Sequence, residues 1–180
     1  MPVDGVTIRV LADPTRIIPE LGFGGFTPNS EEVQLFVDPA WPNLAQSLAT
    51  ELFPLLAHEL HHTMRHRTAG YGSALFNAMI SEGLADYFSI EVAGVDPPIW
   101  STALMGAELE AWMERASEGW LQGPYDHDGW FFGTDSEIPR WAGYSIGFEL
   151  VRRFLSSNPT RRASDLFGEP ALSFLPASTN

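Results

Sequence analysis

At 180 residues, 44% hydrophobic and 18% charged, the chain is long enough for one compact domain with a core, and its composition excludes wholesale disorder. A formal net charge of -13, from 23 acidic against 10 basic residues, argues against a phosphate backbone, and so against nucleic acid, as a partner. The absence of cysteine rules out disulfides, thiolate metal sites and cysteine nucleophiles.

The first forty residues read as strand and turn. Val6–Leu11 alternates apolar and polar residues with β-branched enrichment and is broken by Asp13-Pro14. Gly22–Pro28 reads as a glycine-rich loop or an irregular edge strand. Val33–Val37 is a second strand, closed by Asp38-Pro39. From Asn43 the pattern turns helical. Asn43 is placed to cap a helix running towards Arg67, with Pro54 expected to kink it or to open a second helix. Gly70 and Gly72 end that run. Ser73 is the expected cap of the next helix, which runs to Val92 or Ala93 with Gly94 as its stop. Phe76, Ile80, Leu84 and Phe88 line one side of it, and Leu75 and Met79 lead along another to Glu82, the pattern of a buried helix. A third helix is expected over Ser101–Ala116, a loop over Gly119–Ile138, and a last helix from Pro139 to about Leu155. Strands first and helices after imply α+β. The expected organisation is a single domain over 1–180, with a sheet region at 1–40, a helical body at 43–157 and a tail at 158–180.

Met1–Val10 lacks the basic start and apolar stretch of a signal peptide, and no apolar run approaches a bilayer span. A soluble cytoplasmic protein without membrane contact is expected, although a leader removed beforehand would leave no trace.

The chemistry concentrates in His58-Glu59-Leu60-His61-His62, an H-E-x-x-H motif. Four residues advance a helix by about 400°, so the imidazoles of His58 and His62 project only about 40° apart and can reach one tetrahedral ion. Glu59 points aside, towards a metal-bound water rather than the metal, as a general base would. A third ligand must be a carboxylate or another histidine. Glu82, 20 residues beyond His62, is the best placed, since the interval allows one helix to finish and a second to return. Asp86 lies four residues on, along the same face, where it can accept a hydrogen bond from the other nitrogen of a ligand histidine.

With those residues, and Ser81-Glu82-Gly83-Leu84-Ala85-Asp86, the chain resembles the gluzincin zinc metallopeptidases. More narrowly, it is similar to an uncharacterised bacterial family of predicted zinc-dependent proteases with a late Gly-Tyr-containing helix, here Trp141–Gly147. The resemblance implies a zincin-like fold, with a small N-terminal sheet packed on a mainly helical body. It also implies Glu82 as third zinc ligand and Asp86 in support of His58. It implies a peptide or protein substrate, held against an edge strand for which Gly22–Phe26 is the candidate, the alternative being a flexible loop. A further tyrosine or histidine is implied as stabiliser of the tetrahedral oxyanion. Tyr144, beside Gly143 near a helix start, is the first candidate, set against a buried tyrosine bonded to backbone. His127, in Tyr125-Asp126-His127-Asp128-Gly129, is the rival, set against a solvated turn histidine.

The remaining candidates read as structural. Asp126 and Asp128 suggest calcium but lack the other loop ligands. His61 is expected to pack or lie at the surface, and His66, between Arg65 and Arg67, marks a solvated helix end. Trp120, Trp130 and Phe131 belong to the core or wall a cleft. The reading is zinc-dependent peptide-bond hydrolysis. The alternatives are a non-catalytic module of the same fold that binds zinc or a protein, and a zinc hydrolase of a non-peptide amide or ester.

Overall fold

A computed structural model describes residues 4–134 and 137–176. Parts of three sequence assignments lie outside these residues: 1–3 of the sheet region, 135–136 of the loop, and 177–180 of the tail. A small sheet and a mostly helical body make the chain α+β. Strands β1 (Thr7–Ala12), β2 (Phe23–Asn29) and β3 (Glu32–Val37) form one sheet in the order β1-β3-β2. β1 runs parallel to β3, from Thr7 opposite Glu32 to Ala12 opposite Val37. β2 runs antiparallel to β3, with a register shift between Phe26 and Asn29. The glycine-rich stretch is therefore an irregular edge strand rather than a loop.

Helices follow: α1 (Leu44–Arg67), α2 (Leu75–Ala93), α3 (Gly106–Ser117), α4 (His127–Phe132) and α5 (Ala142–Ser157). α1 is continuous through Pro54, so the proline does not open a second helix. Neither expected cap forms. The Asn43 side chain makes no capping bond, and the residue before α2 is Ala74 rather than Ser73. Gly94 stops α2 in the left-handed conformation, at φ 66°, as glycine readily does. α3 starts at Gly106 instead of Ser101, because the intervening turn is tied elsewhere. The Ser101 hydroxyl donates to Asp86, and the Leu104 N–H donates to Ser145 Oγ at 3.1 Å. The stretch read as a loop contains α4, a short helix whose Asp126 side chain accepts from the Gly129 N–H at 3.0 Å. That is the N-cap role aspartate favours.

α2 is the central element. It packs on α1 on one side and α5 on the other, with Phe76, Met79, Ile80 and Leu84 fully buried. Trp120 packs on Phe76 at 4.8 Å, and Phe131 is fully buried, so both are core rather than cleft residues. A second apolar cluster joins sheet to helices through Phe23, Val33, Leu35, Leu55 and Trp100. α1 packs mainly under β2, which leaves all six residues of β1 exposed. The end of α1 is not solvated as expected. Arg65 is 1% exposed, and its guanidinium donates to the carbonyls of Phe167 and Glu169 at 3.3 and 3.2 Å. Burial lowers its pKa to about 10. His66 is half-buried and stacks with Tyr71. Among the described residues, no helix is long and apolar enough to cross a membrane.

Candidate metal centre

His58 and His62 occupy successive turns of the buried side of α1, facing Glu82 on α2; all three are buried. The two Nε2 atoms stand 3.0 Å apart, and Glu82 Oε2 lies 3.1 Å from His58 Nε2 and 3.3 Å from His62 Nε2. The rings meet edge to face, at an interplanar angle of 82°. Each imidazole has its other nitrogen engaged: His58 Nδ1 with Asp86 Oδ1 at 2.7 Å, and His62 Nδ1 with Ser81 Oγ at 3.2 Å. Asp86, fully buried, also accepts from Trp100 Nε1 at 3.1 Å and from the Ser101 hydroxyl. With Nδ1 facing Asp86, the Nε2 of His58 is turned towards the other two donor atoms.

Three electron-rich atoms this close, away from water, require a proton or a cation between them. Burial opposes the charged form of His58, yet Asp86 and Glu82 outweigh it and hold its pKa well above the ordinary value. Burial likewise opposes the Glu82 carboxylate, but His62 and His58 keep its pKa well below the usual range. Tetrahedral donors 2.0–2.1 Å from a zinc ion stand about 3.3 Å from one another. The observed triangle is close to that spacing, and the donor set suits zinc. Among the described residues, His58, His62 and Glu82 form a group that can hold a metal ion.

Glu59, 5% exposed, lies against β2. Thr27 Oγ1 donates to Glu59 Oε2 at 2.6 Å, and a Cβ added at Gly25 would stand 2.4 Å from Oε1. The glycine lets the strand approach the carboxylate, and Pro54, four residues before His58, leaves the helix carrying it intact. Tyr144 is packed between Trp100 and Phe131. Burial, then the carboxylates of Glu82, Asp86 and Glu59, push its phenol pKa well up, so it stays protonated. His127 sits at the start of α4, its Nδ1 2.9 Å from the Tyr125 hydroxyl and its ring stacked on Phe131. It is not one of the three possible metal ligands, and Phe131, on which it stacks, also meets the Tyr144 ring. His61 is fully buried on Phe88, and burial holds its pKa well below normal, so it is a neutral core residue.

The family model described as "Predicted Zn-dependent protease (DUF2268)" matches residues 3–175. The chain belongs to this family. "Uncharacterized protein YjaZ" of Bacillus subtilis (strain 168) is 30% identical over 130 residues, covering 68% of this chain and 49% of that protein. The chain thus spans about half the length of that relative. No solved structure matches.

Several residues around His58, His62 and Glu82 escaped the sequence reading. Tyr71, in the turn between α1 and α2, donates its hydroxyl to Glu82 Oε1, and its ring lies 5.7 Å from that of His62. An aromatic residue between Gly70 and Gly72, just where the two metal-motif helices are joined, was the available signal. Ser81 adjoins Glu82 in sequence, so its proximity to the site was legible even if its partner was not. Thr27, Trp100 and Ser101 carry no motif and reach the site only through the fold.

Proposed function

We propose that the chain hydrolyses peptide bonds, with zinc held by His58, His62 and Glu82 and with Glu59 as general base. The observation that carries this reading is the buried donor triangle with 3.0–3.3 Å edges. The fixed carboxylate of Glu59 follows directly after the first of its histidines. When bound, zinc lowers the pKa of a coordinated water to roughly 7 and polarises a carbonyl. Glu59 takes the proton released as water attacks and hands it to the leaving amine, so that the peptide becomes an acid and an amine. The Thr27 hydroxyl orients Glu59 for this by holding Oε2. Asp86 fixes the His58 tautomer with the proton on Nδ1. Tyr144 donates its hydrogen bond to the oxygen on which negative charge develops. Its phenol is held protonated by burial and then by the surrounding carboxylates, whereas His127 already has one ring nitrogen paired with Tyr125.

Glu59→Gln tests the assignment. General-base loss typically slows turnover by about 10²–10⁴-fold. The zinc-loaded variant should therefore keep its metal, measured by elemental analysis after dialysis, and lose hydrolysis of unstructured polypeptide to that extent. A variant that retains zinc and cleaves at the wild-type rate would remove Glu59 from the mechanism.

A further inference from the structure

A cleft of about 510 Å³ opens beside the metal centre, with His58 forming part of its wall. Its floor is one stripe of α1: Glu51, Pro54, Leu55 and His58 follow at helical spacing. The seven-residue step from His58 back to Glu51 covers about 10 Å along the axis. The opposite wall is the segment after α2, where Asp96 is followed by Pro97, Pro98, Ile99 and Trp100. Two successive prolines restrict the backbone there and keep that wall stiff. The cleft is therefore apolar along its length and carries two carboxylates, Glu51 and Asp96. Both are exposed, and neither has an ion-pair or side-chain hydrogen-bond partner among the described residues. Among the described residues, His58 at the metal end is the one basic side chain in its lining and no arginine reaches it, and the whole sequence contains no lysine.

We infer that this cleft is the side-chain pocket that selects the substrate, and that it takes an arginine or lysine of a peptide. The inference rests on the peptide-hydrolysis reading and adds a substrate class to it. A long basic side chain matches both features of the pocket. Its methylene stem lies along Pro54, Leu55, Pro98 and Ile99, and its charged head reaches the carboxylates beyond. An apolar side chain would use the walls and leave the acids without a partner. An acidic one would meet two like charges in a protein of net charge -13. Because the carboxylates are exposed, the selectivity is moderate and sensitive to salt.

The test separates recognition from turnover. Zinc-loaded Glu59→Gln protein is titrated calorimetrically with alanine heptapeptides bearing a central Arg, Leu or Glu. The Arg peptide should bind roughly tenfold tighter than the Leu peptide, with the Glu peptide weakest, and the advantage should shrink in about 0.5 M salt. Adding Glu51→Gln and Asp96→Asn to the same background should bring the Arg-to-Leu ratio to within about twofold. Zinc content and thermal midpoint verify that this variant is folded. Equal binding of the three peptides, no binding of the Arg peptide, or an Arg preference that survives both neutralisations overturns the pocket assignment. Hydrolysis by the wild-type chain is read in parallel. Cleavage without Arg preference removes the pocket and leaves the hydrolase reading standing. Arg preference without cleavage of any peptide does the reverse.

Discussion

α2 presents two faces that are held by different physics. Towards α1 it carries Ser81, Glu82 and Asp86, all buried and each bonded to a histidine of the motif. Towards α5 it has almost no side chain at the crossing. A Cβ at Gly83 would stand 2.3 Å from the Gly147 carbonyl oxygen, and one at Gly147 would stand 2.0 Å from that of Met79. The α5 face is backbone against backbone, surrounded by Ile80, Leu84, Ile146 and Leu150. Burying the polar face is unfavourable unless every group keeps its partner. The glycine face gains close packing with no polar group to satisfy. The difference implies that stability resides on the α5 side and the proposed metal chemistry on the α1 side, so that substitutions should separate the two.

The largest effect is expected from Gly147→Val. The obstacle is backbone, which no rotamer change can move aside, so overpacking should cost about 3 kcal/mol or more. Chemical denaturation of the metal-free protein reads this directly, and a wild-type midpoint would show that the glycine face is not close-packed. Next comes the metal itself. Zinc held at 100 times its dissociation constant should add about 2.7 kcal/mol to folding stability. Chelation should remove this increment, and zinc should restore it. Glu82→Ala should abolish the increment, while its metal-free denaturation midpoint stays far closer to wild type than that of Gly147→Val. If Glu82→Ala unfolds the chain as severely, the two faces are not separable. Asp86→Asn follows, with zinc affinity expected to fall about 10–100-fold, measured by competition with a chromophoric chelator. Unaltered affinity would mean that Trp100, Ser101 and the packing of α2 hold His58 in place without the aspartate charge.

The same division explains what could be read from the sequence. The helices of the metal motifs were legible because their apolar periodicity and their Gly stops are local signals, and α2 does end at Gly94. The spacing of His58 and His62 encodes a shared helix face without reference to the rest of the chain. Boundaries set by tertiary bonds were not legible. Ser101 reads as the start of a helix, but its hydroxyl is committed to Asp86, and Asp126 reads as a turn residue although it caps α4. Arg65 resembled its solvated neighbours because its partners are carbonyls about a hundred residues away. Gly25 and Thr27 read as part of a glycine-rich loop or edge strand, and their contact with Glu59 was not legible because it depends on that residue lying beneath them.

The smallest expected effect sharpens the comparison most. Tyr71→Phe deletes the hydroxyl that donates to Glu82 Oε1 and little else, because the ring remains against His62 and His66. Burial, and then Glu82, push the Tyr71 pKa well up, so the phenol is a neutral donor throughout the working range and the substitution changes no charge. Glu82 would keep Oε2 on the histidines but lose the bond that fixes its other oxygen. The loss of one such bond is worth about 1 kcal/mol, or roughly fivefold in zinc affinity, below the range expected for Asp86→Asn. That ranking follows from the structure: Asp86 receives Trp100 and Ser101 as well as His58, whereas among the described residues Glu82 has a single non-histidine partner in Tyr71. Equal zinc affinity in Tyr71→Phe and wild type would mean that the packing of α2 between α1 and α5 positions Glu82 by itself. The glycine face would then govern the metal face, and the two would be less independent than their chemistry suggests.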